Sequence, residues 1–467
     1  MPVVFGGICP HPPIMVPEVG RQQANEVLSS QKAMLELGRR LKESGADCIV
    51  MISPHAPVFR DVIAINARPR LKGDLGQFGV ASVSLDLKND LELVAAIAGQ
   101  AGTMGVPVVE LDEKMLRRDQ SGLELDHGFL VPLSFILRAA VELPLVAVSM
   151  GFLPDERLYA FGVAVKKASG QLNKKVAVLA SGDLSHRLTR DAPAGYDPRG
   201  KEFDQKMVVL VEKADIEGIL HLDKELVERA GECGLRPIIM MFGALDGFHV
   251  KVDVLSYEGP FGVGYLVATL IPQEMAHERF FLKKLQAQQK MNIEEKKIKE
   301  SFLVRLARRA LEKYYATGKI ETPPEDIPAE YLRKAGTFVS LKEHGQLRGC
   351  IGTILPQYKN IIDEVTHNAI SAAVRDLRFS PVRKDELDEL TISVDVLSTP
   401  EPATGLNELD PEKYGVIVRS GDRSGVLLPA LEGIYTAEEQ VAIARQKAGI
   451  RPGEPVELYR FTVERHT

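Results

Sequence analysis

Four histidines carry the chemistry legible in this chain: His11, His55, His127 and His186. His11 stands in Cys9-Pro10-His11-Pro12-Pro13 and His55 in Ser53-Pro54-His55-Ala56-Pro57, each at the point where an apolar run stops. Proline has no N–H to donate and disfavours helix in the residue before it, so both runs read as strands that end sharply at a histidine. His186 closes a third such run, Lys174 to Leu179 followed by Ala180-Ser181-Gly182-Asp183-Leu184-Ser185-His186, and His127 sits in an Asp126-His127-Gly128 turn. Imidazole is a ligand for zinc, iron, copper or nickel, and two histidines with one carboxylate leave positions open for substrate and oxygen. Glu232, in Gly231-Glu232-Cys233-Gly234, is the natural third ligand, and Cys233 beside it is the rival because a thiolate binds more softly. His221, His249, His277, His344, His367 and His466 lack such surroundings and read as surface or packing residues.

To converge, these side chains need elements that deliver them to one rim. Between His11 and His55, Ala24, Val27, Leu28, Met34, Leu35 and Leu41 fall largely on one helical face, and Gly45 reads as the stop. That makes a βαβ unit, whose right-handed crossover puts both strand ends on the same side. In an open α/β sheet, ligands bind at the carboxyl ends of the strands. Further strands are expected within 58–90, at Val106–Leu111, Leu143–Met150, Lys174–Leu179, Val250–Tyr257 and Tyr265–Ile271, with helices at Leu91–Gly102, after His127 and through 196–245. Asp183 admits two readings, a helix N-cap or a catalytic group, and His127 is either a site residue or a turn histidine satisfied by backbone.

From Pro272 to Glu300 the chain turns polar and charged, so 273–294 reads as a partly helical linker between residues 1–272 and 295–467. In the second region, Ile298, Phe302, Leu306, Ala310 and Tyr314 mark an amphipathic helix. A hairpin turning at His344-Gly345, a helix over Ile361–Val374, strands at Leu390–Leu397, Gly415–Arg419 and Val426–Leu428, a helix over Ala437–Ala448 and a last strand at Val456–Val463 follow. The fold class expected is α/β: an open, mostly parallel sheet flanked by helices, with a second α+β domain after it.

The chain's 467 residues are enough for two or three cores. A net charge of −6 gives no pull toward nucleic acid or anionic membrane, and no apolar run reaches bilayer-spanning length. Cys9, Cys48, Cys233 and Cys350 contain no CxxC pair, which points away from a disulfide framework or zinc ribbon and toward a reducing cytoplasm.

These motifs carry a resemblance. Cys-Pro-His11-Pro-Pro, Ser-Pro-His55-Ala-Pro, Asp126-His127-Gly128 with Val131-Pro132-Leu133, Ser181-Gly182-Asp183-Leu184-Ser185-His186, and Glu232 near Pro237 occur in the order found in the class III extradiol (ring-cleaving) dioxygenase superfamily, which includes the Memo proteins. Residues 1 to about 272 resemble that superfamily. The resemblance implies ferrous iron on His11, His55 and Glu232, with zinc as the alternative, and dioxygenase action on a catechol-like or other vicinal oxygen-bearing small molecule. His127 and His186 then act on substrate and oxygen as acid or base, with Asp183 or Ser185 setting the tautomer of His186. Cys233-Gly234-Leu235-Arg236-Pro237-Ile238 also resembles the Memo pattern, so both third-ligand candidates stay open.

Residues from about 295 to 467 resemble the AMMECR-type domain, through Leu347-Arg348-Gly349-Cys350-Ile351-Gly352-Thr353 and Ala372-Ala373-Val374-Arg375-Asp376-Leu377-Arg378-Phe379-Ser380-Pro381. That resemblance implies a fold but no chemistry. Cys350 with Arg348 beside it reads either as an activated thiolate or as a packed, inert cysteine. Gly349 and Gly352 imply the close approach of another backbone or a ligand. Memo-like and AMMECR-type proteins are often encoded with a radical SAM protein, an expected partner beside a small-molecule substrate and a second copy of the chain. Two other classes remain open: a non-catalytic metal-binding adaptor and a metal-dependent enzyme that does not use dioxygen.

Overall fold

A computed structural model of the chain describes residues 1–112, 124–320, 327–343, 346–431 and 433–467. The chain divides into two compact units, Met1–Ala287 and Gln288–Thr467. The first is built on an eight-stranded sheet of β1 (Val3–Cys9), β2 (Cys48–Ser53), β3 (Ile63–Asn66), β6 (Val108–Leu111), β7 (Leu145–Ser149), β8 (Val176–Ser181), β9 (Phe248–Glu258) and β10 (Tyr265–Met275). Its order is β6-β3-β7-β2-β8-β1-β10-β9. The strands at the centre, β7, β2, β8 and β1, run parallel, while β10 and β9 close one side antiparallel and β3 pairs antiparallel with β7. A separate hairpin of β4 (Arg70–Leu75) and β5 (Val80–Lys88) lies outside this sheet.

The central strands are continuous apolar runs because helices cover both faces. Along β8 the side chains alternate between two cores. Val176, Val178 and Ala180 pack with α3 (Leu91–Thr103), α5 (Asp155–Gln171), α6 (Pro198–Glu212) and α9 (Leu235–Ala244). Ala177 and Leu179 face α2 (Leu28–Glu43) and α4 (His127–Arg138). Three short helices, α1 (Pro17–Gly20), α7 (Ile216–Leu220) and α8 (Lys224–Ala230), complete the connections.

The βαβ unit places the site through its strand order. β1 and β2 are not neighbours; β8 lies between them, with Cys9 paired to Ser181 and Ile52 to Ala180. The segment after β8 therefore emerges between the two proline-flanked histidines. On the other side α9 lies backbone-close on α5: a Cβ on Gly162 would stand 2.0 Å from the Met240 carbonyl oxygen, and one on Gly243 2.0 Å from that of Tyr159.

The charged segment after β10 forms α10 (Phe281–Lys299). The amphipathic helix of the second unit begins later than the sequence pattern indicates, as α11 (Phe302–Thr317), with Ser301 at its N-cap. Ile298, counted on its apolar face, falls in α10 and is 81% exposed. Two four-stranded antiparallel sheets follow. The first orders β12 (Gln346–Gly352), β11 (Thr337–Glu343), β13 (Leu390–Leu397) and β18 (Val463–His466), and α11 and α12 (Ile361–Val374) share its core. The second orders β14 (Glu401–Ala403), β17 (Glu457–Phe461), β15 (Gly415–Ser420) and β16 (Arg423–Leu427), covered by α13 (Ala437–Lys447). The expected turn at His344-Gly345 lies outside the described residues. No helix among the described residues is long and apolar enough to cross a membrane.

Candidate metal centre

His11 follows β1, His55 follows β2, and their Nε2 atoms stand 2.9 Å apart. The Sγ of Cys233 lies 3.6 Å from His11 Nε2, and these three donor atoms form one group able to hold a metal ion. His127, the first residue of α4, joins them: its ring centroid is 4.4 Å from that of His55 and 5.4 Å from that of His11. His127 is therefore a cluster residue and not an isolated turn histidine. Asp183 and His186 make a second donor group with Cys233.

Of the two neighbours weighed for the third position, Cys233 is the one that enters the group. Glu232 turns away, and its carboxylate accepts the Leu235 N–H at 2.6 Å, at the start of α9. The loop is held by direct backbone contact, since a Cβ on Gly182 would meet Gly234 Cα at 2.2 Å. The Asp183 carbonyl accepts the N–H groups of Cys233 and Gly234 at 3.3 and 2.9 Å. Residues with side chains would not fit at that crossing, which is why glycines flank it.

Asp183 caps no helix, because the next one, α6, starts at Pro198. Its Oδ1 instead accepts the His11 backbone N–H at 3.0 Å, and Oδ2 lies 3.6 Å from His11 Nε2 and 3.9 Å from His186 Nε2. The tautomer of His186 is set by neither Asp183 nor Ser185: its Nδ1 lies 2.6 Å from the Gly231 carbonyl oxygen. A carbonyl only accepts, so Nδ1 carries the proton and Nε2 of the neutral ring keeps its lone pair. Ser185 serves the backbone, its hydroxyl donating to the Ala230 carbonyl and its N–H to Asp204.

His11 is fixed in the same way by Ser181, which stands in the strand-end motif without a role assigned from sequence. Ser181 Oγ stands 2.5 Å from the Gly128 carbonyl oxygen and 2.8 Å from His11 Nδ1. The hydroxyl has one proton, and Gly128 must receive it, so His11 Nδ1 donates to Ser181 and the His11 Nε2 lone pair faces the cluster. Gly128 is available because its helical partner four residues on is Pro132, which lies inside α4 and has no N–H. Outer-shell bonds of this kind set the orientation of a ligating histidine. Ser181→Ala is expected to weaken metal binding by about 10–100-fold while the protein stays folded; competition titration against a chelator checks it, and unchanged affinity would refute the role.

Burial is the main electrostatic force here. It pushes His11 well below the ordinary histidine range, with His55, His127 and His186 adding to the effect. His55 falls to about 4, crowded by surrounding atoms and by His127 and His186, although part of the residue stays open to solvent. His127 and His186 are lowered by burial. Four neutral imidazoles therefore face one another near neutral pH. Burial raises Asp183 to about 7, and it pushes the Cys233 thiol up, so a cation has to displace the thiol proton to bind there. Glu232 is likewise raised to about 7 by burial.

Residues 7–268 match the family of the catalytic LigB subunit of aromatic ring-opening dioxygenase. The chain belongs to that family. Residues 304–466 of this LigB-type chain match the AMMECR1 family, so the two units join two families in one polypeptide. A protein of Clostridium acetobutylicum is 41% identical over 98% of this chain and 98% of its own. A Thermotoga maritima protein is 53% identical over 35% of this chain and 95% of its own. Among solved structures, a Pyrococcus horikoshii protein is 40% identical over 35% of this chain and 88% of its own, with a TM-score of 0.34. An Escherichia coli protein is 16% identical over 57% of this chain and 99% of its own, with a TM-score of 0.40.

In the AMMECR1-type unit, Arg348 does not stand guard over Cys350. Its guanidinium binds Glu386 at 2.8 Å and the carbonyls of Ser380 and Pro381. Cys350 Sγ instead accepts the Ser340 hydroxyl at 3.2 Å, and Asp376 accepts the Cys350 N–H at 2.9 Å while pairing with Arg378. The close approach at Gly349 is to the backbone of α12, since a Cβ there would meet the Ala372 carbonyl oxygen at 2.2 Å.

Proposed function

We propose that the LigB-type unit is a metal-dependent oxidoreductase acting on a catechol-like or other vicinal oxygen-bearing small molecule. In this reading ferrous iron is held by His11, His55 and Cys233. The observation that carries it is the convergence of two imidazole nitrogens and one sulfur. The donors suit such an ion, because neutral imidazole and thiolate both bind iron and zinc. Bound there, ferrous iron supplies Lewis-acid polarisation of substrate oxygens and electrons for dioxygen.

The remaining steps belong to the chain itself. His186 offers its Nε2 lone pair to a substrate proton, and its Nδ1–H bond to Gly231 holds the ring in that orientation. Asp183, raised to about 7, stands ready beside it as the next proton carrier. His127 lines the side next to His55 and shares the edge of Phe78, whose ring is 5.6 Å away. His55, partly open to solvent, marks the side from which a small molecule enters.

The sulfur in the third position favours one further reading: a Memo-like metal-binding adaptor, holding iron or zinc without turnover and working with a radical SAM partner. The experiment is metal analysis after anaerobic purification, followed by oxygen uptake over a panel of catechols. The oxidoreductase reading expects bound iron and uptake with at least one catechol. Folded protein with metal but no uptake would favour the adaptor, and folded protein without metal would end the metal-centre account. In the same preparation Cys233→Ala is expected to lose metal and Glu232→Ala to keep it; the reverse pattern would return the third position to Glu232. Four cysteines outside any disulfide fit a cytoplasmic setting.

A further inference from the structure

We propose that the centre has a second cation position, bound by Asp183, His186 and Cys233, so that the Cys233 sulfur is shared between two ions. The donor atoms fall into two triads, His11/His55/Cys233 and Asp183/His186/Cys233, and within each the atoms lie within 4.8 Å of one another. A thiolate sulfur has several lone pairs and can serve two ions placed side by side.

His11 spends its Nδ1 proton on Ser181 and His186 spends its own on Gly231, so both Nε2 atoms present lone pairs. Asp183 Oδ2 faces those two nitrogens at 3.6 and 3.9 Å, longer than a hydrogen bond in both cases. Asp183 is 3% exposed and pairs with no lysine or arginine among the described residues. Once the Cys233 thiol proton is displaced, the second triad sets a carboxylate oxygen and a sulfur beside the His186 Nε2 lone pair, and such a set of acceptors is satisfied by a cation. One oxygen, one nitrogen and one sulfur suit a borderline divalent ion such as zinc, cobalt or ferrous iron.

The proposal rests on the metal-centre reading above, whose third ligand, Cys233, it shares. The full chain, stripped by chelator, is titrated with Co(II) without oxygen, following thiolate-to-metal absorption and counting metal per chain by elemental analysis. Two equivalents are expected for the unsubstituted chain and one for Asp183→Asn or for His186→Gln, with Cys233→Ser weakening both. His186→Gln removes a half-buried group with one backbone bond, so it reports even where the buried Asp183→Asn is too unstable to use. Saturation at one equivalent would overturn the second position and leave the first intact. Two equivalents retained by the Asp183→Asn/His186→Gln double variant would overturn it as well, because the extra ion would then be bound elsewhere. No binding at all would overturn both this proposal and the metal-centre reading.

Discussion

His11→Ala and His55→Ala are each expected to reduce affinity for the first metal equivalent by at least about 100-fold, beyond the ~10–100-fold typical of losing an outer-shell partner. Each substitution deletes one of two Nε2 donors that stand 2.9 Å apart, and nothing at the alanine can replace it. His11 is 2% exposed, so His11→Ala also leaves a cavity and lowers thermal stability. His55 is exposed, and His55→Ala separates metal loss from unfolding. Calorimetric titration of the folded apo-protein measures the effect; affinity within a few-fold of the unsubstituted chain would remove both residues from the ligand set.

The second large effect is kinetic. His186→Ala is expected to keep the first metal equivalent but to lower turnover by about 10²–10⁴-fold, the range lost with a general acid or base. His186 belongs to the other donor triad, so His11, His55 and Cys233 stay in place when it is removed. Oxygen uptake and metal content measured on the same sample separate the two roles. Loss of the first equivalent together with activity would make His186 a ligand of the first ion, and unchanged turnover would take it out of the reaction.

Much of this arrangement is legible in the sequence. Prolines after β1 and β2 and small residues after β8 mark where strands stop, so His11, His55 and His186 could be placed at strand ends from local chemistry alone. Glu232 against Cys233 could not be decided that way, because the choice depends on which side chain the Leu235 N–H captures and on the Gly182–Gly234 contact. Pro132 was visible as part of a motif, but its effect was not: the carbonyl it frees on Gly128 is used by Ser181, 53 residues away. Asp183 admits two readings that local sequence does not separate. A Gly-Asp-Leu-Ser sequence after a strand looks like a helix start, yet the chain runs irregularly to Pro198 and the carboxylate is taken by His11. Arg348 stands two residues from Cys350, a spacing that puts both side chains on the same face of a strand, but the long side chain reaches past it to Glu386.

The central claim is that two imidazoles and one thiolate converge on a single ion. X-ray absorption at the metal edge, on protein loaded anaerobically with one equivalent, tests it directly. Nitrogen scatterers with the multiple-scattering signature of imidazole and one sulfur at about 2.3 Å are expected. A first shell of oxygen and nitrogen without sulfur would contradict it and return the third position to a carboxylate.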